Sequence, residues 1–409
     1  MTTVVHPGDS LSGRQRLTYV LVLGALTALG PFTIDLYLPA FPEIAKDFTA
    51  SDAQIQLTLT ATTIGFALGQ LVMGPWSDKV GRRMPLIIAT AVHIGASLAV
   101  ALAPNLELLT LFRVLQGVGA AAGGVVAMAT VRDLFGGRPL VRMLSRLALV
   151  NGLAPILAPL IGSQLLLVIE WQGIFWFLAG YGALVLLASV LFIRETLPPE
   201  RRHENGHSSL RDRYRVLLSD RVFVGVALMG GMMFSGLFIY LSASSFLFQD
   251  VFGLDAQQYG FLFAINSIGV VGGVQIASRI TKYLGPQWIL AFSTSLGLLA
   301  AIGIIVLAAL DAGLIGVLVP LWFFIFSFGL SMPCIQVLAL AHHGKEAGTA
   351  ASLLGALNMG LAGLLSPLVG IIGITSAAPM GWVMASAVAV AAVILWVVVR
   401  PRTVPELSR

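Results

Sequence analysis

Apolar runs about as long as a bilayer is thick recur along almost the whole chain, and they decide what it can fold into. The run "LGLLAAIGIIVLAAL", residues 296–310, contains no polar side chain. In lipid only helices and closed barrels satisfy every backbone polar group. Barrel strands alternate lipid-facing and lumen-facing residues, and these runs do not alternate. A helical span needs about 20 apolar residues. Twelve such segments can be read: 17–43, 53–77, 84–105, 107–131, 145–169, 171–193, 222–248, 257–278, 286–310, 313–341, 347–374 and 378–399. Composition agrees: of 409 residues 57% are hydrophobic and 11% charged, where a soluble domain has about a quarter charged. The expectation is an all-α polytopic membrane protein.

The distribution of Lys and Arg predicts its orientation. With twelve spans, both termini lie on one side. That side carries Arg14, Arg16, Lys79, Arg82, Arg83, Arg132, Arg138, Arg142, Arg146, Arg279, Lys282, Lys345 and the arginines of the polar stretch 194–215. The opposite loops hold Lys46 alone, among Glu43, Asp47, Asp52, Glu107, Glu170, Asp250, Asp255 and Asp311. The basic side is expected to be cytoplasmic. The net charge of +5 is then a record of topology, and no nucleic-acid partner is expected. Single Cys334 permits no disulfide within the chain.

The two halves echo each other. "GQLVMGPWSDKVG" (Gly69–Gly81) and "GVQIASRITKYLG" (Gly273–Gly285) share glycine spacing and end in a charged turn; "PLIG" (159–162) answers "PLVG" (367–370). The order and offset are kept across the central polar stretch, which predicts a duplicated six-helix unit: 1–193, a linker 194–221, and 222–409. Parallel repeats of this kind form transporters with a site between the halves near mid-membrane.

Four motifs bring a resemblance: "IDLYLPAFP" (34–42), "GPWSDKVGRR" (74–83), "RVLQGVGAA" (113–121) and "APLIGS" (158–163). With them the chain resembles the major facilitator superfamily, in its twelve-helix drug:proton antiporter group, and most of all the bicyclomycin and chloramphenicol resistance (Bcr/CflA) subfamily. The resemblance implies two pseudo-symmetric six-helix bundles and proton-driven export of small amphipathic drugs from the plasma membrane of a bacterium (the inner membrane in a Gram-negative one). It implies no cofactor, no enzymatic activity, and function within one chain. The alternative on the same fold is an exporter of a sugar or other metabolite.

Gly74, Asp78, Gly81, Arg82 and Arg83 sit in the turn between spans 2 and 3, and Arg132 and Asp133 at the same end of span 4. Two glycines permit a tight turn. Two acids at a basic face are not what topology alone places there. The resemblance implies a cytoplasmic gate in which Asp133 holds a loop arginine in one state only, a bistable contact of the kind a rocking transporter uses.

Arg113 is the one Lys or Arg well inside a span, and Asp35 the one acid. Counted from the acidic side they lie roughly 9 and 12 Å deep at the helical rise. Each would cost about 2.5–3.5 kcal/mol at a helix centre, so each should face a cavity or a partner. Asp35 is the expected protonation site. Arg113 is its expected partner, direct or through water, favouring the charged form. A structural role for either, by snorkelling or by bonding loosened backbone, is the other reading. Pro31, Asp35 and Pro39 would share one helix face at i, i+4 and i+8.

Candidate cavity residues are Tyr37, Gln56, Thr60 and Gln116 in the first half. In the second they are Tyr240, Asn266, Gln336 and Asn358, with Phe234, Phe238 and Phe263 as aromatic surfaces. Drug pockets are mostly apolar with a few polar groups, although the same polar residues can serve interhelical hydrogen bonds. Asn151, Pro155, Pro159 and Gly162 on span 5 carry the antiporter motif the resemblance implies, or simply a kinked helix. "GVGAAAG" (117–123) imitates a dinucleotide fingerprint but follows no strand. Gly119 and Gly123 are read as close-packing residues instead. His93 reads as hydrogen-bonded structure. His342 and His343 have no metal-ligand company, and no metal site is expected. No "GxxxxGK[ST]" loop is present, so direct ATP drive is not expected.

Overall fold

The computed structural model describes residues 7–204, 210–281, 283–341, 343 and 347–404. Lys282, His342 and Lys345, which enter the reading above, lie outside them. Twelve helices among the described residues are long and apolar enough to cross a membrane. The first six are α1 (Gly13–Asp35), α2 (Asp52–Val80), α3 (Arg83–Ala101), α4 (Leu106–Leu134), α5 (Gly137–Leu165) and α6 (Trp171–Phe192). The second six are α7 (Arg221–Phe246), α8 (Ala256–Ile280), α9 (Pro286–Ala309), α10 (Gly313–Leu340), α11 (Ala347–Leu365) and α12 (Ala377–Ile394). Their starts follow side-chain chemistry. Ser12 and Gln15 form a capping box on α1, Asp255 and Gln258 one on α8, and Asn105 and Asp220 cap α4 and α7. Each cap satisfies backbone donors that a helix start leaves unbonded. Leu184, Leu187 and Leu191 on α6, and Leu299 and Ile315 on α9 and α10, are exposed. An apolar outer face of this extent is a surface for lipid.

Three elements depart from expectation. The fifth helix starts at Gly137 rather than near 145, so Arg142 and Arg146 lie on the helix. Basic residues interrupt the hydropathy of that first turn and hide it, while Pro139 is tolerated there because early N–H groups need no helical partner. The first span does not run unbroken: α1 ends at Asp35, a 3₁₀ turn covers Leu38–Ala40, and a short helix follows over Phe41–Asp47. Pro39 supplies no N–H to the Asp35 carbonyl, which stops the α ladder. Pro31 and Asp35 therefore share a face, but Pro39 falls outside their helical register. Pro367 likewise ends α11 two residues after Leu365, before a short helix over Leu368–Ile372.

By contacts the chain divides into two units. One comprises residues 1–37 and 61–208, the other 38–60 and 209–409. Helix α2 contributes to both, and the start of the polar linker goes with the first. Within the first unit α1 packs on α4, α5 and α6, and α3 on α4 and α6. Within the second, α7 packs on α10, α11 and α12, and α9 on α10 and α12. The pattern is the same with six added to each label, which is the predicted repeat seen as packing. Helices α2 and α4 touch backbone to backbone. A Cβ on Gly65 would stand 2.0 Å from the Val114 carbonyl oxygen, and one on Gly117 2.1 Å from that of Thr62. The α8–α10 crossing repeats this with Gly273 and Gly329.

Candidate functional site

The last turn of α1 and the first third of α4 bring the two buried charges to one level of the first unit. The Arg113 side chain is fully buried, and Asp35 is 4% exposed. Arg113 Nη1 donates to the Thr33 carbonyl at 3.0 Å and also to Gln116 Oε1. Its guanidinium lies 3.9 Å from the Tyr37 ring centroid, and Phe175 flanks it at 5.5 Å. A cation on an aromatic face gains roughly 2 kcal/mol when desolvated. Gln116 Nε2 donates to Ser97 Oγ at 2.8 Å, and Ser97 donates to the His93 carbonyl at 2.7 Å. His93 is buried with Nδ1 3.4 Å from the Gln116 carbonyl. The polar chain thus runs from α1 through α4 to α3.

The pair was expected directly or through water, and the direct form is not made. Among the described residues Asp35 makes no ion pair, and its Oδ1 is buried without a hydrogen-bond partner; Nε and Nη2 of Arg113 are likewise unbonded. Thr33 lies in the closing turn of α1, where helical carbonyls run out of partners, and it takes the guanidinium instead. Tyr37, read as a cavity residue, is the fully buried platform under Arg113. Thr33, Ser97 and Phe175 went unread. Ser97 stands four residues after His93 on one helix face, a spacing that could have suggested it.

The charged turn forms as one cluster. Arg82 Nε donates to Asp133 Oδ2 at 2.8 Å, and Nη1 donates to Asp78 Oδ1 and to Ser77 Oγ at 2.9 Å. Burial works against the Arg82 charge, but Asp133 and Asp78 outweigh it and hold the proton more tightly than usual. Gly81 makes the turn at φ +102°, a conformation open to glycine. Gly74 does not contribute to the turn, because α2 continues through Pro75 to Val80. Arg83 Nη2 donates to the Val190 carbonyl at 2.8 Å, and Arg132 is exposed outside the cluster.

Two linker residues join this cluster that the sequence had not suggested. Glu195 accepts from Arg82 N at 2.9 Å and Arg83 N at 3.1 Å, and Thr196 Oγ1 donates to Asp133 at 3.2 Å. The carboxylate caps the start of α3, where helical N–H groups and the dipole favour an anion. Burial alone would raise its pKa. The N–H groups of Arg82, Leu197 and Arg83 and the charge of Arg202 reverse that and hold it below the usual glutamate range. A depressed carboxylate contributes stability above its unfolded pKa and loses it as pH falls through the folded one. The clamp should therefore hold at neutral pH and open only below the ordinary glutamate range. Glu195→Gln should speed trypsin cleavage at Arg194 and Arg202 in everted vesicles at pH 7 by roughly twofold to tenfold, the range for one charge-assisted contact at a wet surface. Cleavage at the wild-type rate would refute the clamp.

The remaining candidates divide by unit. In the first, Gly162 abuts the Leu36 carbonyl, where a Cβ would stand 1.9 Å away. Pro155 and Pro159 lie inside α5, and Asn151 is exposed. In the second, Phe234 stacks on Phe238 at 5.0 Å and Tyr240 on Phe263 at 5.9 Å. Asn266 Nδ2 donates to the Tyr240 hydroxyl at 3.3 Å. Asn358 is half-buried with Oδ1 unbonded, and Gln336 is exposed. Gln56 and Thr60 also belong to this unit, and both bond backbone there.

A model of the Major Facilitator Superfamily matches residues 23–367. The MFS-type transporter YdgK of Bacillus subtilis is 37% identical over 375 residues, 91% of this chain and 93% of that protein. A bicyclomycin resistance protein homolog of Haemophilus influenzae is 31% identical over 374 residues, 91% and 94% of the two. The multidrug resistance protein MdtL of Escherichia coli is 30% identical over 339 residues, 81% and 83%. A solved bacterial homolog of the human lysosomal transporter Spinster superposes with a TM-score of 0.75 at 16% identity, covering 96% of this chain and 98% of that one. That last likeness speaks for the fold alone. The relatives bear out the Bcr/CflA resemblance, and the family is one of transporters, not enzymes. With its twelve spanning helices, this multi-pass membrane protein belongs to the Major Facilitator Superfamily.

Proposed function

We propose that the protein is a proton-coupled exporter of small amphipathic drugs, working by alternating access within one chain, with its basic face and both termini in the cytoplasm. The observation that carries the coupling is Asp35: a carboxylate nearly sealed from solvent, one oxygen unbonded, at the level of a buried arginine. An uncompensated buried charge is costly, and taking up a proton removes that cost. Arg113, held by Thr33, Gln116 and Tyr37, keeps the N–H donors of Nε and Nη2 for a carboxylate or a substrate that approaches. Proton and drug then compete for one buried charge site. The Arg82, Asp78, Asp133 and Glu195 cluster serves as the cytoplasmic gate.

The names of the bicyclomycin and multidrug resistance relatives support the substrate class, and the Lys/Arg asymmetry supports the orientation. One proton moving through 100 mV supplies about 2.3 kcal/mol, enough to bias a two-state equilibrium roughly fiftyfold. Transport in inside-out vesicles with an imposed pH gradient tests the proposal, using chloramphenicol-like, bicyclomycin-like and cationic dye substrates. Gradient-dependent accumulation of at least one class is expected. Accumulation of none, or accumulation indifferent to an uncoupler, overturns it.

A further inference from the structure

Gln56 was read above as a cavity residue, yet in the structure neither end of its amide is free. The side chain is fully buried in the second unit. Nε2 donates to the Ser242 carbonyl of α7 at 3.1 Å, and Oε1 accepts from Gly370 N, in the short helix after α11, at 2.9 Å. One amide therefore ties the start of α2 to two other elements. Around it the bonds are of the same kind. Thr60 Oγ1 donates to the Gly363 carbonyl of α11 at 2.8 Å, and Gln249 Nε2 to the Pro39 carbonyl at 3.0 Å. Phe41 meets Phe246 at 5.7 Å. Gly370 is shaped to Gln56: a Cβ there would stand 2.6 Å from Oε1 and 2.7 Å from the Ala53 Cα.

We infer that Gln56 is the latch of the outer gate, a positioning residue that fastens segment 38–60 to α7 and to the Leu368–Ile372 helix and must let go whenever the exit opens. The inference rests on the alternating-access reading above. Its chemistry differs from that of the inner gate. The inner cluster is built of ions, whereas every bond named here joins a neutral side chain to backbone. Neutral bonds to backbone are weak enough to break each cycle, each about a fivefold change in an equilibrium. They are also directional enough to fix one closed register.

The test reads accessibility, without drug or gradient, so it stands whether or not antiport is found. In a Cys334→Ser background, Ala243→Cys places a thiol at a fully buried position on α7, one residue from Ser242. Its alkylation by a membrane-impermeant maleimide is followed from outside intact cells. Gln56→Met, similar in size but unable to make either bond, should raise the rate about thirtyfold, the change two net hydrogen bonds of this kind carry. Gly370→Ala should do the same by pushing Oε1 away, and Leu57→Ala, one residue along on the exposed face, should not. In transport the latch predicts an altered turnover with KM unchanged. Wild-type alkylation in both variants overturns the inference. So does a raised KM with alkylation unchanged, the signature of a cavity residue. A faster reaction accompanied by a matching loss of thermal stability would mark a folding effect and overturn it too.

Discussion

Asp35→Asn should abolish drug-driven proton movement in proteoliposomes, by at least a hundredfold, while the protein still folds and inserts. Asparagine keeps the shape and removes the titratable group. It also removes the buried charge, which costs several kcal/mol when uncompensated, so stability should hold or rise. The sharper readout is a split. Uphill export should vanish, while downhill exchange of labelled for unlabelled drug should survive, because the substrate site no longer waits on a proton. Asp35→Glu should keep coupling at reduced rate, since one added methylene must fit where Asp35 is only 4% exposed. Proton movement in Asp35→Asn at the wild-type level would end the proton-site role and leave the carboxylate a structural one.

Gly117→Leu should prevent assembly. Its Cβ would stand 2.1 Å from the Thr62 carbonyl oxygen and 2.9 Å from Phe66 N, so only separation of α2 from α4 makes room. Overpacking a side chain costs about 1–3 kcal/mol. Parting two backbones should exceed that and consume much of a total of about 5–15 kcal/mol. Monodisperse protein recovered in mild detergent, followed by fluorescence-detected size exclusion, should fall more than tenfold. Gly124→Leu is the control on the same helix, because a Cβ there meets nothing within 4 Å. Equal recovery of the two variants would refute the close crossing.

The spans were legible because hydrophobic length is a one-dimensional signal, and lipid leaves the backbone few options. The level of Asp35 and Arg113 was legible for the same reason, since helical rise converts residue counts into depth. What escaped was lateral. Nothing in the spacing said that Arg113 would turn to the Thr33 carbonyl and the Tyr37 ring rather than to Asp35, because freed carbonyls belong to the folded backbone and not to any residue type. Glu195 escaped because it follows Arg194 just past the end of α6 and reads as one more charge of a solvated linker. Its role depends on the N–H groups of a helix start 112 positions earlier. The start of α5 escaped because a basic amphipathic turn looks like a loop to a hydropathy count. Gln56 was found as a polar residue in a span, yet its partners lie in another part of the sequence.

The division of the chain into its two units has a consequence for biosynthesis. Residues 38–60 belong by contact with a unit whose other part begins at 209. At about 5–20 residues per second the intervening chain takes roughly seven to thirty seconds to make. For that interval, and on past completion of the first six helices, the buried amide of Gln56 and the hydroxyl of Thr60 have none of their final partners on α7 or α11. A break at the linker would accordingly leave the second fragment without a piece of its own interior. Fragments meeting at residue 209 should recover function only when made in the same cell, the first lending the second its missing 23-residue strap.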